Sequence, residues 1–224
     1  MKSLVTLTAF ALAATCVSAS AATLEYKPYV GFDLGYMKTH LPRGTVAIGE
    51  QEPLVFKIHS IFKDYQYTGT LVAGARIGEH FGLEAFIQRG KEEKKTFDLQ
   101  RVGVPELPIT YKLQATTQLN FAWGFDVNGY LPVADKLELT AGIGAGFYDF
   151  THGVTGNILG TNLPVRIQQE EDNVFGVRLT LGAEYKLNER WSAKTAFRYV
   201  RLDPGALEWT DNLKEFTVGL RYAF

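Results

Sequence analysis

The chain has 224 residues, of which 46% are hydrophobic and 21% charged, and its formal net charge is −1. This length suits one all-β domain, and a charge so near zero gives no basis for nucleic-acid binding. The only cysteine, Cys16, lies in the leader described next, so the mature chain has no disulfide framework and no thiol chemistry.

The first 21 residues have the pattern of a secretory signal peptide. Lys2 precedes an uncharged apolar stretch, and Ala19 and Ala21 form an Ala-x-Ala site. We predict cleavage after Ala21, which leaves a mature domain over 22–224. The apolar stretch is too short for an anchored transmembrane helix, and no later apolar run approaches the roughly 18 residues that such a helix needs.

After the leader, large apolar residues alternate with small or polar ones, which is typical of β-strands. In chain order the alternating segments are 29–36, 70–77, 81–88, 118–128, 137–148, 175–185, 191–199 and 216–224. Short turns at 78–80, 131–136 and 188–190 alternate with long stretches at 38–66, 90–114, 151–173 and 201–212. This asymmetry predicts an all-β fold, an eight-stranded antiparallel up-and-down transmembrane β-barrel with short periplasmic turns and long external loops.

Side-chain size indicates which face of the strands points outward. A soluble lipocalin-like barrel also alternates, but with its apolar face inward. Here the polar face is rich in glycine, and small residues suit the crowded interior of an eight-stranded barrel. On a convex surface they would weaken the strands without a packing gain. We therefore expect the bulky face, with Leu119 and Trp123 for example, to contact lipid.

Charged residues on the small-residue face are nearly balanced in sign. Charges in a narrow lumen are costly unless they are paired, so we expect ion pairs that link the walls and close the interior. The alternative is that several of these residues lie near the rims and are solvated. The predicted network comprises Arg76, Glu84, Asp126, Glu138, Arg178, Glu184, Lys194, Arg198 and Arg221.

The chain ends in TVGLRYAF. Thr217, Gly219, Tyr222 and Phe224 resemble the C-terminal signal by which the barrel-assembly machinery recognises bacterial outer-membrane barrels. Stretches such as GARIGEHFGLEAF and GAEYKLNERWSAKTAFRY are similar to strand–turn–strand units of the same proteins. Over 25–224 the sequence resembles the eight-stranded barrels that include the OmpA transmembrane domain, OmpX and the opacity proteins. The resemblance implies a Gram-negative outer membrane, and with it lipopolysaccharide and the assembly machinery as partners.

Catalytic, metal and cofactor motifs are missing from the sequence, which has no H-E-x-x-H, G-x-S-x-G, P-loop or cysteine pair. We therefore expect no cofactor and no enzymatic activity. His59-Ser60 with Asp64 superficially suggests a lipid A-modifying site, but neighbours on a strand point to opposite faces. The charged stretches 91–95 and 168–173 suit lipopolysaccharide phosphates or a divalent ion, or are simply solvated.

Three functions remain open from the sequence. We expect a non-enzymatic surface barrel that supports the envelope or binds a host or envelope ligand through its external loops. A small channel for ions or small apolar solutes is the alternative. A lipid A-modifying enzyme is a third hypothesis, which the lack of a suitable His, Ser and acid set disfavours.

Overall fold

The computed structural model describes residues 26–40, 45–48, 54–57, 62–101, 109–158, 164–203 and 210–224. The predicted signal peptide lies outside these ranges. The strands in them are β1 (Tyr26–Thr39), β2 (Thr45–Ile48), β3 (Leu54–Lys57), β4 (Tyr65–Ile77), β5 (Phe81–Gly90), β6 (Glu93–Arg101), β7 (Ile109–Ala134), β8 (Leu137–Ile158), β9 (Pro164–Lys186), β10 (Trp191–Leu202) and β11 (Asn212–Ala223). Over the same ranges the structure contains no helix long and apolar enough to cross a bilayer.

Eight strands close into a ring in which every neighbouring pair is antiparallel. The order around the ring is β1, β4, β5, β7, β8, β9, β10 and β11, and β11 pairs back onto β1. Each of the eight predicted segments lies on one of these strands, so the predicted fold is confirmed. β6 continues the direction of β5 and pairs with the first part of β7, residues 109–117. β2 and β3 form a separate hairpin.

Tight turns connect the strands at the end of the barrel that carries both termini. In the turn after β4, Gly78 has a φ of 65°, a conformation that favours glycine. At the other end, two of the stretches predicted as long loops, 90–114 and 151–173, contain β-strand. β7 and β8 stay paired as far as Tyr111 and Ile158, so their backbone N–H and C=O groups find partners well beyond the predicted strand ends.

The bulky apolar face points outward and the polar face inward, as predicted. Leu34, Phe125 and Leu181 are 58%, 60% and 65% exposed, whereas Glu84 and Arg178 are 2% and 1% exposed. Because the outward residues are apolar and contiguous around the ring, the barrel presents a lipid-facing band.

Leu119 is an exception to the predicted alternation. The register between β7 and β8 shifts between Leu119 and Phe121, and Leu119 is fully buried in the interior. The prediction that Leu119 contacts lipid is therefore wrong, because a bulge adds one residue and reverses the faces beyond it. At the bulge, Asn120 donates a hydrogen bond from Nδ2 to Oγ1 of Thr151 over 2.6 Å.

An apolar cluster fills the interior towards the loop end of the barrel. Many of its members come from the loop ends of their strands, where β1 and β10 finish and β11 begins. They are Met37, Val72, Phe86, Leu119, Ala122, Tyr148, Phe150, Val174, Val200, Leu202 and Leu213. The charged part of the interior adjoins this cluster, since the Arg178 guanidinium lies 3.6 Å from the centre of the Phe86 ring.

Candidate functional site in the barrel interior

Asp33 on β1 is the centre of the buried charge. Nη1 and Nη2 of Arg221 donate to its two carboxylate oxygens over 2.5 and 3.0 Å, which makes a bidentate pair. Nη2 of Arg198 donates to Oδ2 of the same carboxylate over 2.5 Å. One carboxylate thus joins the first strand of the barrel to the last two.

Glu84 on β5 is the second acid of this central cluster. Its Oε2 lies 3.8 Å from Nζ of Lys194 and 3.7 Å from Nε of Arg221. The hydroxyl of Tyr29 donates to the same oxygen over 3.0 Å. The Glu84 carboxylate thus has one short hydrogen bond, from Tyr29, and two longer-range cationic partners, Lys194 and Arg221.

Glu215 on β11 is the third acid, and the predicted network omits it together with Asp33. Its Oε2 lies 3.4 Å from Nη1 of Arg198, and its Oε1 accepts hydrogen bonds from Gln88 (2.5 Å) and from Thr68. The last predicted segment begins at Phe216. Extending the alternation back by one residue would have revealed Glu215.

Arg178 and Asp126 form a separate pair, in which both side chains are buried. Nε of Arg178 donates to Oδ1 of Asp126 over 3.0 Å, and Nη2 donates to Oδ2. The guanidinium lies 3.6 Å from the centre of the Phe86 ring, a cation–π arrangement. Gly144 makes room for the pair, because a Cβ at that position would collide with Oδ1 of Asp126.

A third group lies at the mouth next to the termini. Nη2 of Arg76 is 2.6 Å from Glu138 and 3.2 Å from Glu184, and Nζ of Lys186 is 2.6 Å from Glu138. Arg76 also stacks 4.0 Å from the centre of the Tyr130 ring. A cavity of about 350 Å³ opens here and reaches inward to Arg221. These residues are near the rim, but they are also paired.

Within the described residues, each of the three groups contains as many acids as bases. The interior acids in these pairs are Asp33, Glu84, Asp126, Glu138, Glu184 and Glu215, and the bases are Arg76, Arg178, Lys186, Lys194, Arg198 and Arg221. The structure therefore brings all nine residues of the predicted network into ion pairs. It divides them among three groups that do not form one continuous chain of ion pairs.

The chemistry of this interior is electrostatic and structural. In the described part of the chain, no group of three or more His, Cys, Asp or Glu side chains is arranged to hold a metal ion. Of the three residues that suggested a lipid A-modifying site, His59 and Ser60 lie outside the described residues. Asp64 forms an exposed ion pair with Lys38 over 3.2 Å. Just above the barrel wall, a hydrogen bond to Glu93 over 2.7 Å raises the pKa of the Lys63 ammonium.

The four residues of the predicted C-terminal signal lie on both faces of β11 and at its end. Thr217 and Gly219 face the interior, and Gly219 lies against Asp33. On the outside, the Tyr222 ring lies 5.0 Å from the ring of Trp191 and 5.4 Å from that of Phe224. These three rings form an aromatic group on the outer surface, at the end of the barrel that carries the termini.

A closed antiparallel ring with an apolar outer band and a paired, charged interior defines an eight-stranded barrel of the outer-membrane type. Residues 7–224 match the sequence profile of the outer membrane protein beta-barrel domain, and the chain belongs to that family. No curated protein sequence matches it.

Solved structures with a similar fold are bacterial outer-membrane proteins. Neisserial surface protein A is 12% identical, with a TM-score of 0.51 over 88% of this chain and 97% of that one. A major outer membrane protein from Thermus thermophilus is 15% identical, with a TM-score of 0.51 over 89% of this chain and 100% of that one. At these identities the likeness concerns the fold alone, and it is the family membership that supports an outer-membrane location.

Proposed function

We propose that the protein is a non-enzymatic surface barrel whose interior does not conduct and whose external strands bind a host or envelope ligand. The observation that carries this proposal is the filled interior. Buried ion pairs link the walls of the barrel, and the apolar cluster packs next to them and extends towards the loop end. A solute would have to displace both to cross.

The energetics of the interior support a closed state. Removing one partner from a buried ion pair costs about 3–5 kcal/mol, because the other charge remains buried without compensation. Asp33 has two such partners, Arg198 and Arg221. Apolar side chains such as Phe150 and Leu213 pack in the interior further towards the loop end. A spontaneous opening would have to overcome both barriers at once.

The external strands support a binding role. β6 to β9 continue beyond the barrel as a four-stranded sheet, in which β6 pairs with β7 and with no other described strand. A free strand edge is a surface to which a partner strand can add. Export through a cleaved signal peptide and recognition of the last strand by the assembly machinery are part of the same proposal.

A small channel is the second candidate, favoured by the cavity of about 350 Å³ at the mouth near the termini. Its inner end reaches Arg221, so water and ions have access to part of the charged interior. For this cavity to become a path, the central ion pairs would have to exchange partners and the apolar cluster would have to part.

Conductance separates the two candidates. Detergent-refolded protein is inserted into a planar bilayer after its mobility on a gel is shown to differ between unheated and boiled samples. We expect no current steps above those of protein-free detergent. Glu138→Ala and Arg178→Ala serve as interior probes, and Lys94→Ala serves as an exposed external control. Steps that recur in the wild type and change only with the interior variants would replace the proposed function with the channel.

A further inference from the structure

The cavity at the end that carries the termini lies next to the turn that joins β9 and β10, and its volume is about 350 Å³. Pockets that hold small molecules measure roughly 300–1,000 Å³, so this one suits a ligand at the small end of that range. Its charged lining is mostly cationic. The bases on it are Lys27, Arg76, Lys186, Arg190 and Arg221, and the acids are Glu184 and Glu189.

Two of the side-chain acceptors on the cavity wall are already bonded to the protein. Glu184 accepts a hydrogen bond from the Ser192 hydroxyl over 2.5 Å. The amide oxygen of Asn188 accepts from the backbone N–H groups of Arg190 and Trp191 over 2.9 and 2.8 Å. A cation that entered the cavity would have to compete with these bonds.

The donors of the same wall are less fully committed. A guanidinium carries five N–H donors and no acceptor, and an ammonium carries three donors. Arg76 reaches both Glu138 and Glu184 through one nitrogen, Nη2. At the inner end of the cavity, the buried Nε of Arg221 has no hydrogen-bond acceptor among the described residues. The cavity is therefore rich in donors, and carboxylate and phosphate groups are the strong acceptors that suit such a wall.

Arg190 provides a cation at the rim. It is exposed, it donates from Nη1 to the Tyr222 hydroxyl over 3.5 Å, and within the described residues it forms no ion pair. Arg221, at the inner end, is 3% exposed and is held by Asp33. The cavity thus has one guanidinium at its rim and another at its inner end. A ligand with a single acid group can pair with one of them, whereas a ligand with two separated acid groups can pair with both.

We propose that this cavity binds a small organic polyanion, a molecule with two or more carboxylate or phosphate groups. One acid group pairs with Arg190 at the rim, and another approaches Arg221 at the inner end. The site rests on the outer-membrane location and on short turns that face the periplasm, so its ligand comes from the periplasm. It is independent of any ligand at the external strands, and it leaves the ion pairs of Asp33 in place.

Isothermal titration calorimetry of the detergent-refolded protein at low ionic strength tests this site, with citrate, pyrophosphate and acetate as separate probes. We expect citrate or pyrophosphate to bind at least tenfold tighter than acetate, which has a single acid group. Tighter binding of citrate would identify the site as one for carboxylates, and tighter binding of pyrophosphate as one for phosphates.

Three variants change exposed side chains at the same end of the barrel, so each should fold, and heat-dependent gel mobility checks that it does. Lys27→Gln/Arg190→Gln removes two cations from the cavity wall and should weaken binding of the tighter probe at least tenfold. Glu189→Gln removes an acid from the wall and should strengthen binding at least twofold. Lys136→Gln, the matched control, removes a cation from another turn, outside the cavity lining, and should bind like the wild type.

No measurable binding of either polyanion to the wild type would overturn the site, as would unchanged affinity in Lys27→Gln/Arg190→Gln. An equal loss in Lys136→Gln would also overturn it, since the ligand would then respond to the charge of the whole barrel end. The same holds if acetate binds as tightly as citrate and pyrophosphate, because the cavity would then not select for two acid groups.

Discussion

Neutralising Asp33 provides a direct test of the central cluster, because its carboxylate is shared by Arg198 and Arg221 across the seam between β1 and β11. Asp33→Asn keeps the shape of the side chain and removes one negative charge. The cluster holds three acids and three bases, so the variant buries one uncompensated cation. We expect the free energy of unfolding to fall by about 3–5 kcal/mol.

A second substitution should restore much of this loss. In Asp33→Asn/Arg221→Met the charge is balanced again, since Arg198 remains 3.4 Å from Glu215 and the pair of Lys194 with Glu84 remains at 3.8 Å. We therefore expect the double variant to be more stable than Asp33→Asn alone, with a coupling free energy on the order of 1–3 kcal/mol.

Urea unfolding from lipid vesicles gives these free energies, with the fluorescence of the three tryptophans and the gel mobility as independent signals. The exposed pair of Lys94 with Glu92, at 3.1 Å, provides the matched control. Lys94→Gln should change the free energy of unfolding by about 0–1 kcal/mol. The loss of unfolding free energy in the double variant is compared with the losses in Asp33→Asn and in Arg221→Met alone. If the double variant loses the sum of the two, the balance of charge is not what stabilises the cluster.

Three further predictions concern other parts of the barrel. Gly144→Ala forces a Cβ against Asp126 and should cost about 1–3 kcal/mol of unfolding free energy in urea, whereas Gly129→Ala, whose Cβ has its nearest neighbour at 3.6 Å, should change it by less than about 0.5 kcal/mol. Leu119→Ala should lower the same quantity by about 2–5 kcal/mol, because Leu119 is fully buried, and a loss below about 1 kcal/mol would mean that the apolar cluster is loosely packed. Deleting Phe224 should reduce the heat-modifiable barrel in outer-membrane fractions while leaving refolding in detergent intact, and equal losses in both assays would argue for a purely structural role.

The eight strands could be predicted because period-2 alternation is a strong signal wherever one face contacts lipid and the other is packed. The signal weakens beyond the hydrocarbon, where the outward face no longer has to be apolar. For this reason the alternation is clear at 118–128 and gives no warning that β7 begins at Ile109. The bulge at Leu119 is equally invisible to an alternation count, since it depends on how β8 pairs with β7.

The composition of the charged interior was largely predictable, and its pairing was not. Each interior charge lies on the small-residue face of its own strand, which the sequence reveals. Which acid meets which base depends on the stagger of strands around the ring. Asp33 and Arg221 are 188 residues apart in the chain and meet only because β11 pairs with β1.

The seam between the first and last strands also has a consequence for how the barrel forms. Asp33 is made early in the chain, yet its partners Arg198 and Arg221 are on the last two strands, so neither pair can exist in a sheet that is still open. Until the ring closes, Asp33 and Arg221 need water, whereas Arg198 can already pair with Glu215 on the neighbouring strand. Closure then removes their hydration and supplies their pairing in one step. Contacts so distant in sequence slow folding, so this seam makes closure a late, cooperative event.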